Sequence, residues 1–578
     1  MFCTRLIRPL PLLAFSLLLL LADAPLAAQA PPPPPDSART LRAARSAQAR
    51  FESIRRNHLP WTNSRGGGEC DERVGRFCLW YGDGDSTWEP PPEPEPVQKA
   101  RRDLLARLAV AAADFPGDAW VAGQRVRYLL EAEQGAEAVD AARECRSGWW
   151  CLALEGYALH GAGDYEGADA AFARALREMP DRERRRWSDL SVLLDVSEVR
   201  SYRRIPETER AAFEERFWWM AKPLYLLPGN EARSEHYSRH VLDRLQDRAK
   251  STDGIVWGSD LRELLLRYGW PAGWERIRPS NFSRQTDGMV SRYPRGSRSF
   301  LPSPRVVADP AGIAAAEWEL NAKRARVSYA PAYTPAFAEL EHQVGVFTRG
   351  DSVVVVAAFD TRSDTLFAEV QELEAGLFLL RDERSAPAMV HGLVSGGDGS
   401  FSLTSTPGPT LLSLEVRAPA EKRAARARFG TTLTAIPPHG LALSDVIVLS
   451  STESLPASLA EAVPSARGSL RLRPEERIVL FWEVYGLTAR DPFSVGIVMV
   501  SENRGLLRRL GERMGMVRQV NPVRVRWQEA SETEEPVLPR ALELEIPQVS
   551  PGHYRIELTV TVPGREPLTA SRVVEVVG

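Results

Sequence analysis

The hydrophobic pattern of this 578-residue chain changes near residue 325, and this change constrains the fold more than any other feature. From Val97 to about residue 194, and again within 205–300, apolar residues recur three and four positions apart, as in amphipathic helices. After residue 325 they form strand-length runs separated by turns such as "SGGDGS" and "TPGP". A chain of this length also exceeds a single hydrophobic core. The sequence therefore predicts a multidomain α + β protein.

The N-terminus has the three parts of an export signal. Arg5 and Arg8 precede an apolar run from Leu10 to Ala22, and "ADAPLAAQA" offers small residues for cleavage. We expect residues 1–28 to be a signal peptide and the mature protein to be periplasmic, envelope-bound or extracellular. An uncleaved anchor is disfavoured because the run is shorter than the roughly 20 residues of a spanning helix. No later segment of the sequence is long and apolar enough to cross a membrane, so we expect no transmembrane segment in the mature chain.

Residues 29–96 are interpreted as a Pro-rich tether followed by a cysteine-containing segment. "APPPPPD" favours a stiff extended conformation, and residues 36–58 predict a short helix. The stretch "YGDGDSTWE" has two aspartates spaced like calcium ligands, but it lacks the glycine that a calcium loop needs at its sixth position. A polar turn is the favoured interpretation.

Four cysteines remain once the signal is removed. For an exported protein we expect disulfides between Cys70 and Cys78 and between Cys145 and Cys151, because short loops meet most readily. Four cysteines allow three connectivities, and four free thiols are the main alternative. Zinc binding is disfavoured since neither pair has C-x2-C spacing.

Residues 97–204 predict a small helical array. The segment "LALEGYALHGAGDYEGADAAFARALREMP" resembles a tetratricopeptide repeat. The matching positions are Gly156, Gly163, Asp164, Tyr165, Ala168, Phe172, Ala175 and Pro180. The resemblance implies a protein or peptide partner bound on a concave face, with a purely structural cap on the next domain as the alternative.

Residues 205–300 are dense in aromatic side chains and resemble the GWxTD domain of exported bacterial proteins. The resemblance rests on Phe217, Trp218, Pro223, Asn230, Glu231, Glu235, Arg239, Trp257, Gly258, Asp260, Arg267, Tyr268, Gly269 and Pro271. The naming motif is altered to "WGSD", as expected of a divergent relative. The resemblance implies an α/β or α+β fold and an exported location, and it implies no particular reaction.

The last third of the chain is rich in predicted strands. In "HYRIELTVTVPG" the residues Tyr554, Ile556, Leu558, Val560 and Val562 alternate and thus share one face of a strand. Several such runs predict two antiparallel β-sandwiches, over residues 325–436 and 440–578.

Composition and motifs exclude several function classes. A net charge of −3 gives no attraction to nucleic acid. The chain has no P-loop, HExxH, G-x-S-x-G or G-x-G-x-x-G fingerprint, so we expect no cofactor. Ser400 lies among glycines, in what we interpret as a hairpin turn.

One helix, predicted over residues 231–249, places histidines and carboxylates in a stripe. His236, His240, Asp243 and Asp247 fall nearly opposite its apolar face. Two imidazoles and two carboxylates suit a divalent metal such as zinc. Because the stripe points away from the predicted core, the favoured interpretation is a solvated charged face with helical ion pairs.

Glu231 and Glu235 lie at the edge of the apolar face of the same helix. A buried carboxylate needs a partner, and Arg267 or Arg276 offers a guanidinium. We expect Glu231, Glu235 and Arg267 to form a polar network that stabilises the region 205–280, with ligand binding by these residues and Asp260 as the alternative. The predicted function is a non-enzymatic interaction or scaffold role at the cell envelope. A metal-dependent or hydrolase-like enzyme is the rival.

Overall fold

A computed structural model describes residues 35–63, 71–79, 88–278, 288–293, 299–314, 326–334, 336–436, 440–488, 491–502, 523–531 and 536–578. Helices fill its first half and several β-sheets fill its second half. The predicted multidomain α + β class is therefore confirmed at this general level. The expected polar turn "YGDGDSTWE" and the export signal lie outside the described residues, apart from Trp88 and Glu89 at the end of the turn.

Two N-terminal helices pack against the helical region: α1 (Pro35–Asn57) and α2 (Glu95–Asp114). The helix predicted over 36–58 is thus confirmed. A buried polar cluster fixes α1, because Glu52 Oε1 accepts hydrogen bonds from Tyr128 Oη at 2.6 Å and from Arg127 Nη2 at 3.2 Å. Since a buried carboxylate needs such donors, this contact specifies where α1 docks.

Five further helices follow in sequence order: α3 (Ala119–Leu130), α4 (Gly135–Glu144), α5 (Trp149–Gly161), α6 (Tyr165–Glu178) and α7 (Asp181–Ser188). Short turns separate them, and aspartates cap two of them: Asp118 accepts hydrogen bonds from the first turn of α3, and Asp164 from that of α6. Gly156 lies where α5 and α6 approach most closely, since a Cβ there would meet the Phe172 ring at 2.8 Å.

Five more helices complete the helical half: α8 (Val196–Arg204), α9 (Glu207–Ala221), α10 (Glu231–Gln246), α11 (Ser259–Tyr268) and α12 (Pro304–Ala308). Helix α10 packs against α3, α5 and α6, and Tyr237, Val241 and Leu245 enter their hydrophobic core. One core therefore crosses the boundary expected between residues 204 and 205. Within the described residues, no helix is both long enough and apolar enough to cross a membrane.

Two small sheets contain strands of the N-terminal segment, and one of them connects this segment to the helical half. Their strands are β1 (Trp61–Thr62), β2 (Glu72–Val74), β3 (Phe77–Leu79), β4 (Gly273–Ile277) and β5 (Met289–Arg292). β1 pairs in parallel with β4, which pairs with β5, while β2 and β3 pair with each other. The segment before residue 96 is thus integrated into the fold around β4.

The next β-region spans eight strands: β6 (Ala336–Glu339), β7 (Glu341–Arg349), β8 (Ser352–Asp360), β9 (Glu372–Leu380), β10 (Ala388–Ser395), β11 (Asp398–Ser405), β12 (Gly408–Ala418) and β13 (Arg423–Leu433). They form one sheet in the order β10-β9-β12-β13-β6 and another in the order β11-β8-β7. Side chains of both sheets share one core, which includes Val355, Phe359, Leu377 and Leu414. Ser400 lies in β11, just after the turn that was expected to hold it.

The C-terminal β-region consists of β14 (Ala442–Leu443), β15 (Ile447–Ser450), α13 (Leu459–Ala462), β16 (Arg471–Leu472), β17 (Arg477–Tyr485), β18 (Pro492–Ser501), β19 (Val523–Ala530), β20 (Val537–Glu545), β21 (Gly552–Thr561) and β22 (Leu568–Val576). One sheet has the order β16-β22-β21-β18-β19, and β17 pairs with β14, β15 and β20 in another. The predicted alternation from Tyr554 to Val562 is confirmed, because all five side chains are buried in one core.

Two hydrophobic junctions join these parts. Trp218 of α9 packs in one cluster with Phe378 and Leu380 of β9. Phe347 of β7 packs with Phe481 of β17 across the boundary between the two β-regions. The helical half is therefore packed against the first β-region, and the first β-region against the C-terminal one.

Candidate functional site

The candidate site surrounds the first two turns of α10. Asn230 begins the helix: its Oδ1 accepts a hydrogen bond from Arg233 N at 3.1 Å, and its Nδ2 donates to the Trp218 carbonyl at 2.6 Å. Gly229, just before it, has φ +74°, and a Cβ there would lie 2.4 Å from the Tyr165 backbone. The "PGN" segment therefore requires glycine, because α10 starts in direct contact with α6.

Glu231 is fully buried one residue further on. Its Oε1 accepts a hydrogen bond from Tyr333 Oη at 2.7 Å, and no described residue bonds Oε2. Burial raises the pKa of Glu231 in spite of the nearby Lys222 ammonium. Burial also lowers the pKa of Lys222. Glu231 thus links α10 to the segment that leads into β6.

Glu235, one turn later, is held by a guanidinium and an imidazole. Arg239 Nε donates to its Oε1 at 2.6 Å, and His160 Nε2 lies 2.9 Å from its Oε2. Burial alone would raise the pKa of Glu235, but Arg239 and the hydrogen bond from His160 outweigh burial and lower the pKa to about 2. Glu235 is therefore a carboxylate at neutral pH.

Arg239 fastens α10 to two other segments. Its Nη1 donates to the carbonyl oxygens of Leu266 and Arg267, each at 3.0 Å, and its Nη2 donates to the Ser328 carbonyl at 3.0 Å. These carbonyls lie at the end of α11 and in the segment before β6. One guanidinium thus satisfies three backbone acceptors and a carboxylate.

Ser234, His160 and Glu235 form a hydrogen-bonded chain of the kind found in serine hydrolases. Ser234 Oγ lies 2.9 Å from His160 Nδ1, and the opposite ring nitrogen contacts Glu235. However, Ser234 is fully buried within α10, and its Oγ also lies 3.3 Å from the Glu231 carbonyl. A nucleophile in this position has no surface to offer a substrate.

A small cavity adjoins this chain. It has a volume of about 30 Å³, and its lining includes Glu235, His236, Arg239, Ser328 and Tyr329. This space suits about one or two water molecules. It is far below the size of typical small-molecule sites, which enclose about 300 Å³ or more.

The histidine stripe of α10 does not face water, so the predicted solvated face is wrong. His236 and His240 are each 3% exposed and Asp243 is 2% exposed. Their face is covered by α7, whose Trp187 carbonyl lies 2.9 Å from His236 Nε2 and whose Trp187 ring stacks on His240 at 5.3 Å. Asp247, one turn further on, does remain largely exposed.

Burial determines the charge of both imidazoles. It lowers the pKa of His236 to about 4, and it lowers the pKa of His240 well below its usual range. Asp243 is bound by Arg186 Nη2 at 2.6 Å, Arg262 Nε at 2.8 Å and Trp257 Nε1 at 2.8 Å. Its oxygens therefore already have donors. Across the described ranges, no three His, Cys, Asp or Glu side chains are grouped so as to hold a metal ion.

Arg267 and Asp260 lie apart from the two glutamates. Arg267 Nη2 donates to Glu72 at 2.6 Å, and its Nη1 donates to Glu263 at 3.2 Å. Its predicted pairing with Glu231 and Glu235 is therefore wrong, and only its backbone carbonyl contacts Arg239. Asp260 Oδ2 accepts a bond from Arg76 Nε at 2.5 Å, which lowers the pKa of Asp260 to about 2.

Arg276, the other guanidinium considered for Glu231 and Glu235, stacks over the Trp61 ring at 4.3 Å.

The structure also contains a buried ion pair that was not predicted from the sequence. Arg428 and Glu415, on β13 and β12, are fully buried and lie 3.0 Å apart. Arg428 Nη1 also donates to the carbonyl oxygens of Met220 and Lys222 at the end of α9. In the sequence "RAARARF", Arg426 and Arg428 alternate with alanine, and this pattern could have predicted a polar face within β13.

The disulfide between Cys145 and Cys151 is confirmed, and it closes the turn between α4 and α5. Cys78 is also disulfide-bonded, and its expected partner Cys70 lies outside the described residues.

No protein-family profile and no curated protein matches this sequence. Among solved structures, similarity extends to red sea bream transglutaminase, at 9% identity over 41% of this chain and 31% of that one, with a TM-score of 0.13. A calcium-binding mutant of Bacteroides uniformis beta-glucuronidase 2 aligns at 11% identity over 40% and 27%, with a TM-score of 0.16. A putative membrane anchored protein from Corynebacterium diphtheriae aligns at 12% identity over 41% and 57%, with a TM-score of 0.13. In each case this chain spans less than two thirds of the other protein, and these alignments carry no functional argument.

Proposed function

We propose that this chain is an exported protein that serves as a rigid, non-enzymatic scaffold at the bacterial cell envelope. The observation that supports it best is the use made of the polar residues of α10. Each of three such residues contacts another segment of the same chain: Glu231 bonds to Tyr333, Glu235 contacts His160 of α5, and Arg239 bonds to the Ser328 carbonyl. Polar residues of the kind that perform chemistry in enzymes here join α10 to α5 and to the segment that leads into β6.

The proposed domain types fit this role. A tetratricopeptide-like pair is supported by the close contact of Gly156 with Phe172 between α5 and α6. A divergent GWxTD-type domain is supported by the clustering of its motif residues around α10, including Asn230, Trp218 and Arg239. Two β-sandwiches are supported by two pairs of sheets, each sharing one core. Such modules are common in interaction proteins, although fold alone does not assign function.

The position of α10 supports one of the two roles considered for the helical array. Leu245 of α10 fills the space beside Gly123 of α3, where a Cβ would lie 2.3 Å from its Cδ2. The face of α3, α5 and α6 that meets α10 is therefore occupied within the chain. We propose that the array acts there as a structural cap, and that partner proteins bind elsewhere.

A hydrolase-like activity centred on Ser234 is the second candidate. It is favoured by the distance of 2.9 Å between Ser234 Oγ and His160 Nδ1 and by the Glu235 contact on the same ring. Complete burial of Ser234 argues against it. A metal-dependent reaction at His236, His240 and Asp243 has less support, since Asp243 is already bound by donors and, among the described residues, no three such side chains are grouped to hold a metal ion.

Export and enzymatic activity are tested together on the full chain expressed with its own N-terminus. We expect the purified envelope form to start at Gln29 and to release thiols for alkylation only after reduction. We also expect no labelling by a fluorophosphonate probe, in the wild type and in Ser234→Ala alike. Labelling that disappears in Ser234→Ala would favour the hydrolase. An uncleaved cytoplasmic product with free thiols would overturn the export proposal.

The scaffold role is tested by crosslinking in intact envelopes. A non-enzymatic scaffold should be recovered in a specific crosslinked complex, and Ser234→Ala should give the same complex in the same yield. The exposed Arg477→Leu variant serves as a matched control for nonspecific surface effects. Recovery of the uncomplexed chain alone would contradict the scaffold proposal.

A further inference from the structure

Two of the sheet edges of the first β-region, β7 and β11, contact other segments of the chain. At the β7 edge, Val346 N donates to Asp445 Oδ2 at 2.9 Å, and the Val344 carbonyl accepts from Arg572 Nη2 at 2.9 Å. At the β11 edge, Ser400 Oγ donates to the Val463 carbonyl at 2.7 Å. The β7 contacts occupy backbone groups that another strand would need, and the β11 contact places the segment at Val463 beside that edge.

The sheet edge formed by β10 differs from the β7 edge in its hydrogen bonding. Within the described part of the chain, the backbone of β10 forms hydrogen bonds with β9 alone. Met389 and Leu393 project from one face and are 52% and 68% exposed. The strand "AMVHGLVS" contains no charged residue and no proline. By contrast, the edge strand β19 has Arg524 and Arg526, which are the kind of residues that natural edges use against strand pairing.

We propose that β10 pairs with β10 of a second copy of this chain. Antiparallel pairing about a twofold axis at His391 places Met389 opposite Leu393 of the second copy, on the face where both are exposed. Val390 then lies opposite Gly392, and Ala388 lies opposite Val394. The two five-stranded sheets become one ten-stranded sheet across the axis.

The side chains of β10 favour a copy of itself over a foreign strand. A Cβ at Gly392 would meet no atom within 4 Å, so this position has room for the Val390 side chain of the second copy. Away from the axis, the three pairs Met389–Leu393, Val390–Gly392 and Ala388–Val394 are all apolar, while His391 faces its own copy on the axis, and no Asp, Glu, Lys or Arg enters the pairing. Gly396, in the turn after β10, also has open space around its Cα, so the turn does not obstruct an approaching strand.

This inference rests on the proposed scaffold role, because it names the surface and the partner through which the scaffold assembles. Edge pairing alone buries less area than an obligate dimer needs, so we expect a reversible dimer. Its formation is measurable with purified mature protein, without export or envelope partners. Failure of the dimer therefore leaves the labelling and crosslinking results intact, and the two proposals are judged separately.

The first test measures mass by sedimentation equilibrium. The wild-type mass should rise from monomer toward dimer between about 1 and 200 µM, a range typical of weak association. Leu393→Lys should remain monomeric throughout, because it places two ammonium groups near the apolar pair. Val525→Lys, at an exposed valine of the β19 edge, should dimerise like the wild type. A monomeric wild type, or equal loss of dimer in both variants, would overturn the proposal.

The second test fixes the register by disulfide trapping. His391→Cys places two cysteines on the twofold axis, at the Cα separation of about 4.5 to 5.5 Å that a disulfide accepts. Ser395→Cys pairs with Pro387 of the second copy and should not crosslink. Crosslinking at residue 395 but not at 391 would overturn this register. A His391→Cys adduct with a different envelope protein, beside a monomeric purified chain, would assign the edge to a foreign strand instead.

Discussion

Tyr333 donates its hydroxyl hydrogen to Glu231 Oε1 across 2.7 Å, and this bond joins two segments that are 102 positions apart. Glu231 lies in the first turn of α10, while Tyr333 lies three residues before β6. Because Glu231 is fully buried, Tyr333 is one of the few groups that can compensate its desolvation. The pair therefore fixes the helical half relative to the first β-region.

Tyr333→Phe should lower the free energy of unfolding by about 1 to 3 kcal/mol, because it leaves a buried carboxyl without its donor. Urea denaturation at constant pH measures the loss. Tyr554→Phe is the matched control: its hydroxyl donates to the Ser550 carbonyl at 2.8 Å, without a buried carboxyl partner. The loss there should be about 1 kcal/mol or less. Equal losses would show that Glu231 does not depend on Tyr333.

Local features of the fold followed well from sequence. The helix expected over residues 231–249 is α10, Glu231–Gln246. The Cys145–Cys151 bridge was predictable because its loop is short and local. These features depend on side chains within a few turns of each other, where capping, periodicity and loop closure act.

Features set by distant segments did not follow from sequence. The helical projection of α10 placed His236 and His240 opposite its apolar face, but α7 covers that face with Trp187. The sequence pattern of one helix cannot indicate that a second helix covers and buries its polar face. Likewise, Arg267 pairs with Glu72, which lies 195 positions upstream, and no local pattern points to that partner.

Arg428→Leu should lower the free energy of unfolding by about 3 to 5 kcal/mol, because it leaves Glu415 buried and unpaired. The double variant Arg428→Leu with Glu415→Leu should recover part of this loss, since neither charge then remains in the core. Thermal unfolding of the three proteins measures the coupling. Arg477→Leu, which removes an exposed pair with Glu545, should change stability by about 1 kcal/mol or less. A small loss for Arg428→Leu would contradict a structural role for the pair.

Gly229→Ala tests the contact between α10 and α6. The added methyl group would lie 2.4 Å from the Tyr165 backbone, so α10 must move away from α6. Gly163→Ala is the matched control because its φ is +85°, similar to +74° at Gly229, and a Cβ there meets no atom within 4 Å. The control should lose about 1 to 2 kcal/mol from backbone strain alone. Gly229→Ala should lose clearly more by thermal unfolding, and equal losses would exclude a close contact.

His236→Gln should reduce the sensitivity of the fold to acid. Burial lowers the pKa of His236 to about 4 in the native protein, whereas an unfolded histidine titrates near 6.5. Between these values the unfolded chain binds more protons, so the free energy of unfolding falls as pH falls from about 6.5 to 4. Going from pH 7.5 to pH 4.5, the wild type should lose about 2 to 3 kcal/mol more than His236→Gln, whose amide keeps a donor for the Trp187 carbonyl but does not titrate. Urea denaturation at both pH values measures the difference, and His553→Gln, at an exposed histidine, should behave like the wild type. If His236→Gln lost as much stability as the wild type, His236 would not be a neutral buried group.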